Sequence, residues 1–144
     1  MNVDLADCGS IVVLLSFWMD QRRKPIHFIG SSKKDLREMP DDVQDVFGSA
    51  LLDAQYGDVP YGARAFGEGV PREVMKLVED FDGDTYRAAY TVWFAEAVYV
   101  LHVFKKKAKA GIGTPQPDKE LIRTRLRAAA EHYERTYPGS RRKR

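Results

Sequence analysis

Thr85–Lys109 reads T-Y-R-A-A-Y-T-V-W-F-A-E-A-V-Y-V-L-H-V-F-K-K-K-A-K. Val, Tyr, Thr, Trp and Phe dominate it, side chains that suit a pleated, half-buried surface. Ala95-Glu96 interrupts the run, so the stretch reads as two strands folded back on each other, with Lys105, Lys106, Lys107 and Lys109 ending the second. With a two-residue loop there, Arg87 faces Phe104, Ala89 faces His102 and Thr85 faces Lys106. Side chains alternate across a strand, which puts Arg87, His102 and Lys106 on one face. The other face presents Tyr86, Ala88, Tyr90, Val92, Tyr99, Leu101 and Val103, an apolar floor for a helix. A slip of one residue would exchange the faces. A rigid apolar platform ending in concentrated positive charge is suited to presenting cations to an anion.

Working outward, Arg72–Glu79 alternates as a strand, with Val74 and Lys76 on one side and Met75 and Leu77 on the other. Asp82-Gly83 then marks a tight hairpin turn into Thr85. The acidic cluster Asp80, Asp82, Asp84 is not an EF-hand loop, because Thr85 and Thr91 stand where Gly and Glu are needed. Residues 57–71 hold four glycines and two prolines and read as a loop. Before it, Val43, Val46, Phe47, Ala50, Leu51 and Ala54 recur at helical spacing, opened by Pro40 and stopped by Gly57. Ser31 and Ser32 can cap a short helix to about Glu38, and Ile26–Ile29 is a first strand. Downstream, residues 110–115 break the hairpin's second strand. A last helix then runs from about Pro117-Asp118 to Tyr137 on a stripe of Leu121, Ile122, Leu126, Ala129, Ala130 and Tyr133. The order is strand, two helices, three antiparallel strands, helix. This is an α+β domain with helices packed on a small antiparallel sheet.

The length of 144 residues fits one domain. One cysteine, Cys8, rules out a disulfide framework, and His27, His102 and His132 lack metal-ligand spacing. No cofactor motif is present: there is no Walker loop, dinucleotide fingerprint or G-x-S-x-G element. The net charge of +2 conceals a division, since residues 1–104 carry 10 Lys/Arg against 17 Asp/Glu and residues 105–144 carry 13 against 4. Such asymmetry points to nucleic acid or another acidic surface. The apolar run Ile11–Met19 is shorter than the ~20 residues a membrane span requires. It follows Asp4 and Asp7 rather than a basic n-region, so the expected location is the cytoplasm, with no membrane partner. The chain divides into an N-terminal extension (residues 1–24), with Met19 as a candidate alternative start, a domain over 25–137 and a basic tail over 138–144.

Three segments carry a resemblance: F-G-E-G-V (Phe66–Val70), V-E-D-F-D-G-D-T-Y-R-A-A-Y-T-V (Val78–Val92) and V-Y-V-L-H-V-F-K-K-K-A-K-A-G-I-G-T-P (Val98–Pro115). They resemble the phage-derived branch of the HigB-like toxins in the RelE/ParE superfamily of type II toxin–antitoxin systems. The resemblance covers residues 25–137 and implies a RelE-like β-α-α-β-β-β-α fold. It also implies a ribosome-dependent mRNA endonuclease, with mRNA and rRNA as partners, neutralised by a helix-turn-helix antitoxin. Cleavage in such toxins is a metal-independent attack by the RNA 2′-hydroxyl on the adjacent phosphate. It needs a base, cations around phosphorus and an acid for the leaving 5′ oxygen. Arg87, in Y-R-A-A-Y, matches the arginine that supports the reacting phosphate, and Lys105, Lys106 and Lys107 fall where the family places basic residues. A tyrosine found near the start of the final helix in RelE-type toxins has no counterpart in Gly113–Pro117, which leaves the general base unassigned.

These residues have structural alternatives. A guanidinium matches phosphate as a planar fork, yet Arg87 could equally pair with Glu73, Glu79 or the acidic turn. Neighbouring ammonium groups repel, which suits Lys106 or Lys107 to proton transfer, while a lysine run is commonly a solvated strand end. His102 can serve as acid or base, or be a buried histidine with one hydrogen bond. Arg72, Lys105, Lys109, Arg123 and Arg127 are expected to position phosphates without reading sequence. Tyr61, Phe66 and Trp93 are candidates for base stacking, with core packing the alternative for Trp93. Two other functions share the fold: a non-enzymatic gyrase inhibitor of the ParE kind, and an inactive toxin fold kept for antitoxin binding.

Overall fold

Asp82 and Gly83 both have positive φ, at 52° and 81°. A tight turn that matches strand twist needs such a pair, and Asp-Gly supplies it at low steric cost. The computed structural model that shows this turn describes residues 23–106 and 113–140. The N-terminal extension up to Arg22, Lys107, Lys109 and the last four residues of the tail lie outside the described residues. In chain order the elements are β1 (Ile26–Phe28), α1 (Ser32–Arg37), α2 (Asp41–Gln55), β2 (Arg64–Ala65), β3 (Val74–Phe81), β4 (Asp84–Thr91), β5 (Val98–Lys106) and α3 (Gln116–Thr136).

The strands form one sheet in the order β1-β5-β4-β3-β2. β2–β3, β3–β4 and β4–β5 are antiparallel, but β1 runs parallel to β5, with Ile26 opposite Val98. The sheet is therefore mixed rather than purely antiparallel. β2, inside the stretch expected to be a loop, adds a fifth strand of only two residues, too short to show alternation. No helix among the described residues is long and apolar enough to cross a membrane.

The β4–β5 pairing matches the expected register at its charged end: Thr85 opposes Lys106, Arg87 opposes Phe104 and Ala89 opposes His102. The loop is longer than two residues, since β4 ends at Thr91 and β5 starts at Val98. The difference is absorbed by an irregularity between Ala89 and Tyr90, beyond which Tyr90 opposes Val100 and Thr91 opposes Tyr99. Such a bulge places one extra residue, here Leu101, in β5 and changes which residues share a face. Val98, Val100 and Val103 therefore join Tyr86, Ala88 and Tyr90 beneath α2. Tyr99 and Leu101, expected in that floor, lie on the opposite face with Ala89 and Phe104.

Each face is covered by one long helix. α2 buries Val43, Phe47, Ala50, Leu51 and Ala54, while Val46 of the same stripe sits at its edge, 43% exposed. α3 buries Ile122, Ala129 and Tyr133 against the other face. The end of α3 is fastened by polar aromatic contacts. His27 Nε2 lies 2.8 Å from the Tyr137 hydroxyl, Tyr99 Oη lies 2.7 Å from His132 Nδ1, and the two imidazole rings are 4.6 Å apart. Burial, and then the neighbouring His132, lower the pKa of His27.

Phe47 is fully buried, so Phe47→Ala should lose about 3–5 kcal/mol in denaturant unfolding, whereas Val46→Ala should stay within about 1 kcal/mol. A histidine whose folded pKa is lowered favours the neutral form in the fold, so the unfolded chain takes up its proton first. Stability from His27 is complete above the unfolded value near pH 6.5 and declines as pH falls toward the lower folded value. Thermal melts should show this loss on acidification, and His27→Gln should shallow the slope.

Candidate functional site

Gly67, Glu68 and Gly69 have φ of 71°, 55° and 80°, three consecutive left-handed residues in the F-G-E-G-V segment. Glycine occupies that region freely, whereas a side chain there costs roughly 1–2 kcal/mol. The turn aims Glu68 at the charged end of the sheet. Its Oε1 accepts the Thr114 backbone N–H at 2.5 Å, and its Oε2 accepts the Thr114 hydroxyl at 3.0 Å, Arg87 Nη1 at 3.4 Å and Lys76 Nζ at 3.5 Å. A Cβ at Gly113 would meet this carboxylate, so a larger residue there would push the Glu68 side chain aside.

Arg87 also donates from Nη1 to the Thr114 hydroxyl at 2.6 Å. Its side chain is 11% exposed, and its buried Nε has no hydrogen-bond partner among the described residues. Glu68 is thus the carboxylate that engages Arg87, in place of the Glu73, Glu79 or acidic-turn pairing considered from the sequence. Burial pushes the Glu68 pKa up, but the Thr114 hydrogen bonds, then Lys76 and Arg87, outweigh it and hold the carboxyl below its ordinary value. Lys76 is shifted down, chiefly by burial, with Glu68 opposing.

His102 belongs to a second constellation on the same sheet face. Its Nε2 lies 2.7 Å from Asp118 Oδ1 in the first turn of α3, and its Nδ1 lies 3.4 Å from Arg125 Nη1. A guanidinium can only donate, which assigns Nδ1 as acceptor and makes Nε2–H the donor to Asp118. Arg125 is itself fixed by donating to the Leu101 carbonyl at 3.0 Å and to the Ser31 hydroxyl at 3.1 Å. Burial lowers the His102 pKa against the opposing effect of Asp118. Phe104 opposes Arg87 across the strands and stacks on the His102 ring at 4.5 Å. Phe104 therefore neighbours both, opposite the arginine in the strand register and stacked on the histidine.

The lysine run divides by strand alternation. Lys106 is 9% exposed, so the solvated-strand-end reading does not describe it. Lys105 points outward and pairs with Asp84 at 3.0 Å, an exposed contact of little energetic weight. Lys107 and Lys109 lie outside the described residues. Arg123 donates to the Gly69 carbonyl at 2.9 Å and so ties the glycine turn to α3. Arg127 is exposed and reaches Thr124, and Arg72 is exposed. Tyr61 is fully exposed, but Phe66 is buried in the core and cannot stack on a base, and Trp93 packs against the same cluster.

An open groove of about 890 Å³ lies beside this end of the sheet, lined in part by Asp35, Glu38, Tyr86, His102 and Lys105. Two carboxylates, Asp35 in α1 and Glu38 just after it, disfavour a polyanion, and Arg87 is not among its lining residues. The cationic centre is the Lys76–Arg87–Thr114 set. Sequence reading missed Lys76, Glu68, Thr114 and Asp118 as site members. The one available signal was a carboxylate between two glycines in F-G-E-G-V.

The model of the family described as phage derived protein Gp49-like (DUF891) matches residues 34–127. That span contains β2 to β5 and every residue of both constellations except Ser31. No curated protein matches the chain significantly. With about two-thirds of its length inside the family match, the chain belongs to the Gp49-like family of phage-derived proteins, within the RelE-type toxin–antitoxin group.

Proposed function

We propose that this protein is the toxin of a type II toxin–antitoxin pair and acts as an endoribonuclease on mRNA in the ribosome, with a helix-turn-helix antitoxin as its neutralising partner. The observation that carries this reading is the part-buried Arg87 guanidinium, set beside Lys76 and Thr114 at one end of the sheet, with the His102–Asp118 pair on the same face. In the reaction the RNA 2′-oxygen loses its proton and bonds to the adjacent phosphorus. The bond to the 5′ oxygen breaks, and that oxygen takes up a proton. Negative charge grows on the non-bridging oxygens, where a guanidinium already held in place acts without reorganising. Arg87 fills that role. Lys106 or Lys107 exchanges one of the two protons, and His102 exchanges the other once its Nδ1 gives up Arg125 or its Nε2 gives up Asp118. Arg72, Lys105, Lys109, Arg123 and Arg127 hold the backbone of mRNA or rRNA.

Induced expression should arrest growth and produce codon-linked cuts when 5′ ends of cellular RNA are mapped. Arg87→Ala should lower cleavage by roughly 10²–10³-fold, and Arg87→Ala with Lys106→Ala should relieve the arrest. DNA damage without RNA cuts would instead mark a gyrase inhibitor, and undiminished cleavage by the double variant would remove both residues from the mechanism.

A further inference from the structure

The Glu68 carboxylate sits where four donors from separate parts of the chain converge: Lys76 Nζ on β3, Arg87 Nη1 on β4, and the hydroxyl and backbone N–H of Thr114 ahead of α3. We infer that Lys76, Arg87 and Thr114 form a phosphate-binding cradle whose resident occupant is the Glu68 carboxylate, and that an RNA phosphodiester binds by displacing it. This rests on the reading of Arg87 as the phosphate-holding residue, and it adds Lys76, Thr114 and the Phe66–Val70 turn to the site.

The donor set is that of an oxyanion site: two cations, a hydroxyl and a main-chain N–H. A carboxylate and a phosphodiester both carry a single negative charge, so the exchange leaves the charge of the buried set unchanged. That matters because two adjacent part-buried cations left without an anion would repel each other. The fit of the carboxylate is uneven. It is close to Thr114 but stands 3.4 Å from Arg87 and 3.5 Å from Lys76, and it leaves Arg87 Nε without a partner among the described residues. A phosphodiester, with two non-bridging oxygens, can take Nε and Nη in the paired geometry that arginine favours. Glu68 is also the residue best placed to leave. Its side chain can swing out about its own torsions without moving the turn that Val70 and Arg123 hold, and it is 23% exposed, so solvent reaches the cradle along this side. Its low pKa, set by Thr114 against burial and aided by both cations, marks a counter-ion rather than a proton acceptor.

The test uses the purified full chain and inorganic phosphate at constant ionic strength, with chloride as the control anion, followed by the Thr114 amide resonance and by thermal melts. Glu68→Gln should bind phosphate at least about tenfold more tightly than the parent, since one charge-assisted contact is worth roughly that. Glu68→Asn keeps a residue tolerant of left-handed φ, cannot extend as far, and should show the same gain. Adding Arg87→Ala or Thr114→Val to either variant should abolish it. Equal phosphate affinity in the parent and both Glu68 variants overturns the inference, as does a gain that survives Arg87→Ala. A hundredfold fall in kcat for Glu68→Gln with no gain in phosphate affinity would make Glu68 the base and also overturn it. The binding readout needs no turnover: tight phosphate binding by Glu68→Gln in a protein that never cuts RNA would support the cradle and defeat the nuclease reading.

Discussion

The pairing of β4 with β5, including its bulge, is the constraint on which the rest of the molecule depends. β5 has α2 on one face and α3 on the other, so its apolar residues are each committed to one core. With uninterrupted alternation, a residue in phase with Val98 and Val100 at one end would leave Val103 on the wrong side at the other. The extra residue at Leu101 resolves this by letting Val98, Val100 and Val103 all reach the α2 core. It also keeps His102 on the α3 side, opposite Ala89 and within reach of Asp118. The same feature thus completes the core and directs the histidine toward the first turn of α3.

The charged end of the sheet then follows from burial. Buried ion pairs give little net stability, because desolvation offsets their attraction, and losing one partner is costly. A chain that gathers Lys76, Arg87 and Glu68 on one side of a short sheet, and His102, Asp118 and Arg125 beside them, holds those groups in narrow geometries instead. The left-handed Glu68 shows how far local strain is tolerated to complete the set. Arg123, bonded to the Gly69 carbonyl, couples that turn to α3. The glycine turn and the charged sheet end are therefore linked to the last helix.

What was legible in the amino-acid order was whatever local periodicity encodes. Val43, Phe47, Ala50 and Ala54 announce α2, Leu126, Ala129 and Tyr133 announce α3, and Asp82-Gly83 announces the turn. Arg87, His102 and Lys106 share a face because alternation from that end of the hairpin is a local rule. The resemblance carried by Phe66–Val70, Val78–Val92 and Val98–Pro115 pointed to the same α+β class. Two-residue β2 and three-residue β1 are too short for any pattern, and the parallel direction of β1 depends on which sheet edge the rest of the fold leaves open.

The bulge and the partners of the charged residues were decided only in the tertiary structure. Loop length alone did not reveal that Tyr99 and Leu101 would turn toward α3, since this depends on two helices competing for opposite faces of one strand. Glu68 lies 19 positions from Arg87 and 46 from Thr114, distances over which no sequence period operates. The order of residues by itself determined the helices, the hairpin and a cationic sheet end. Which carboxylate would neutralise that end, and which lysine of the run would be buried, required the folded chain, because burial and charge pairing are properties of neighbours in space.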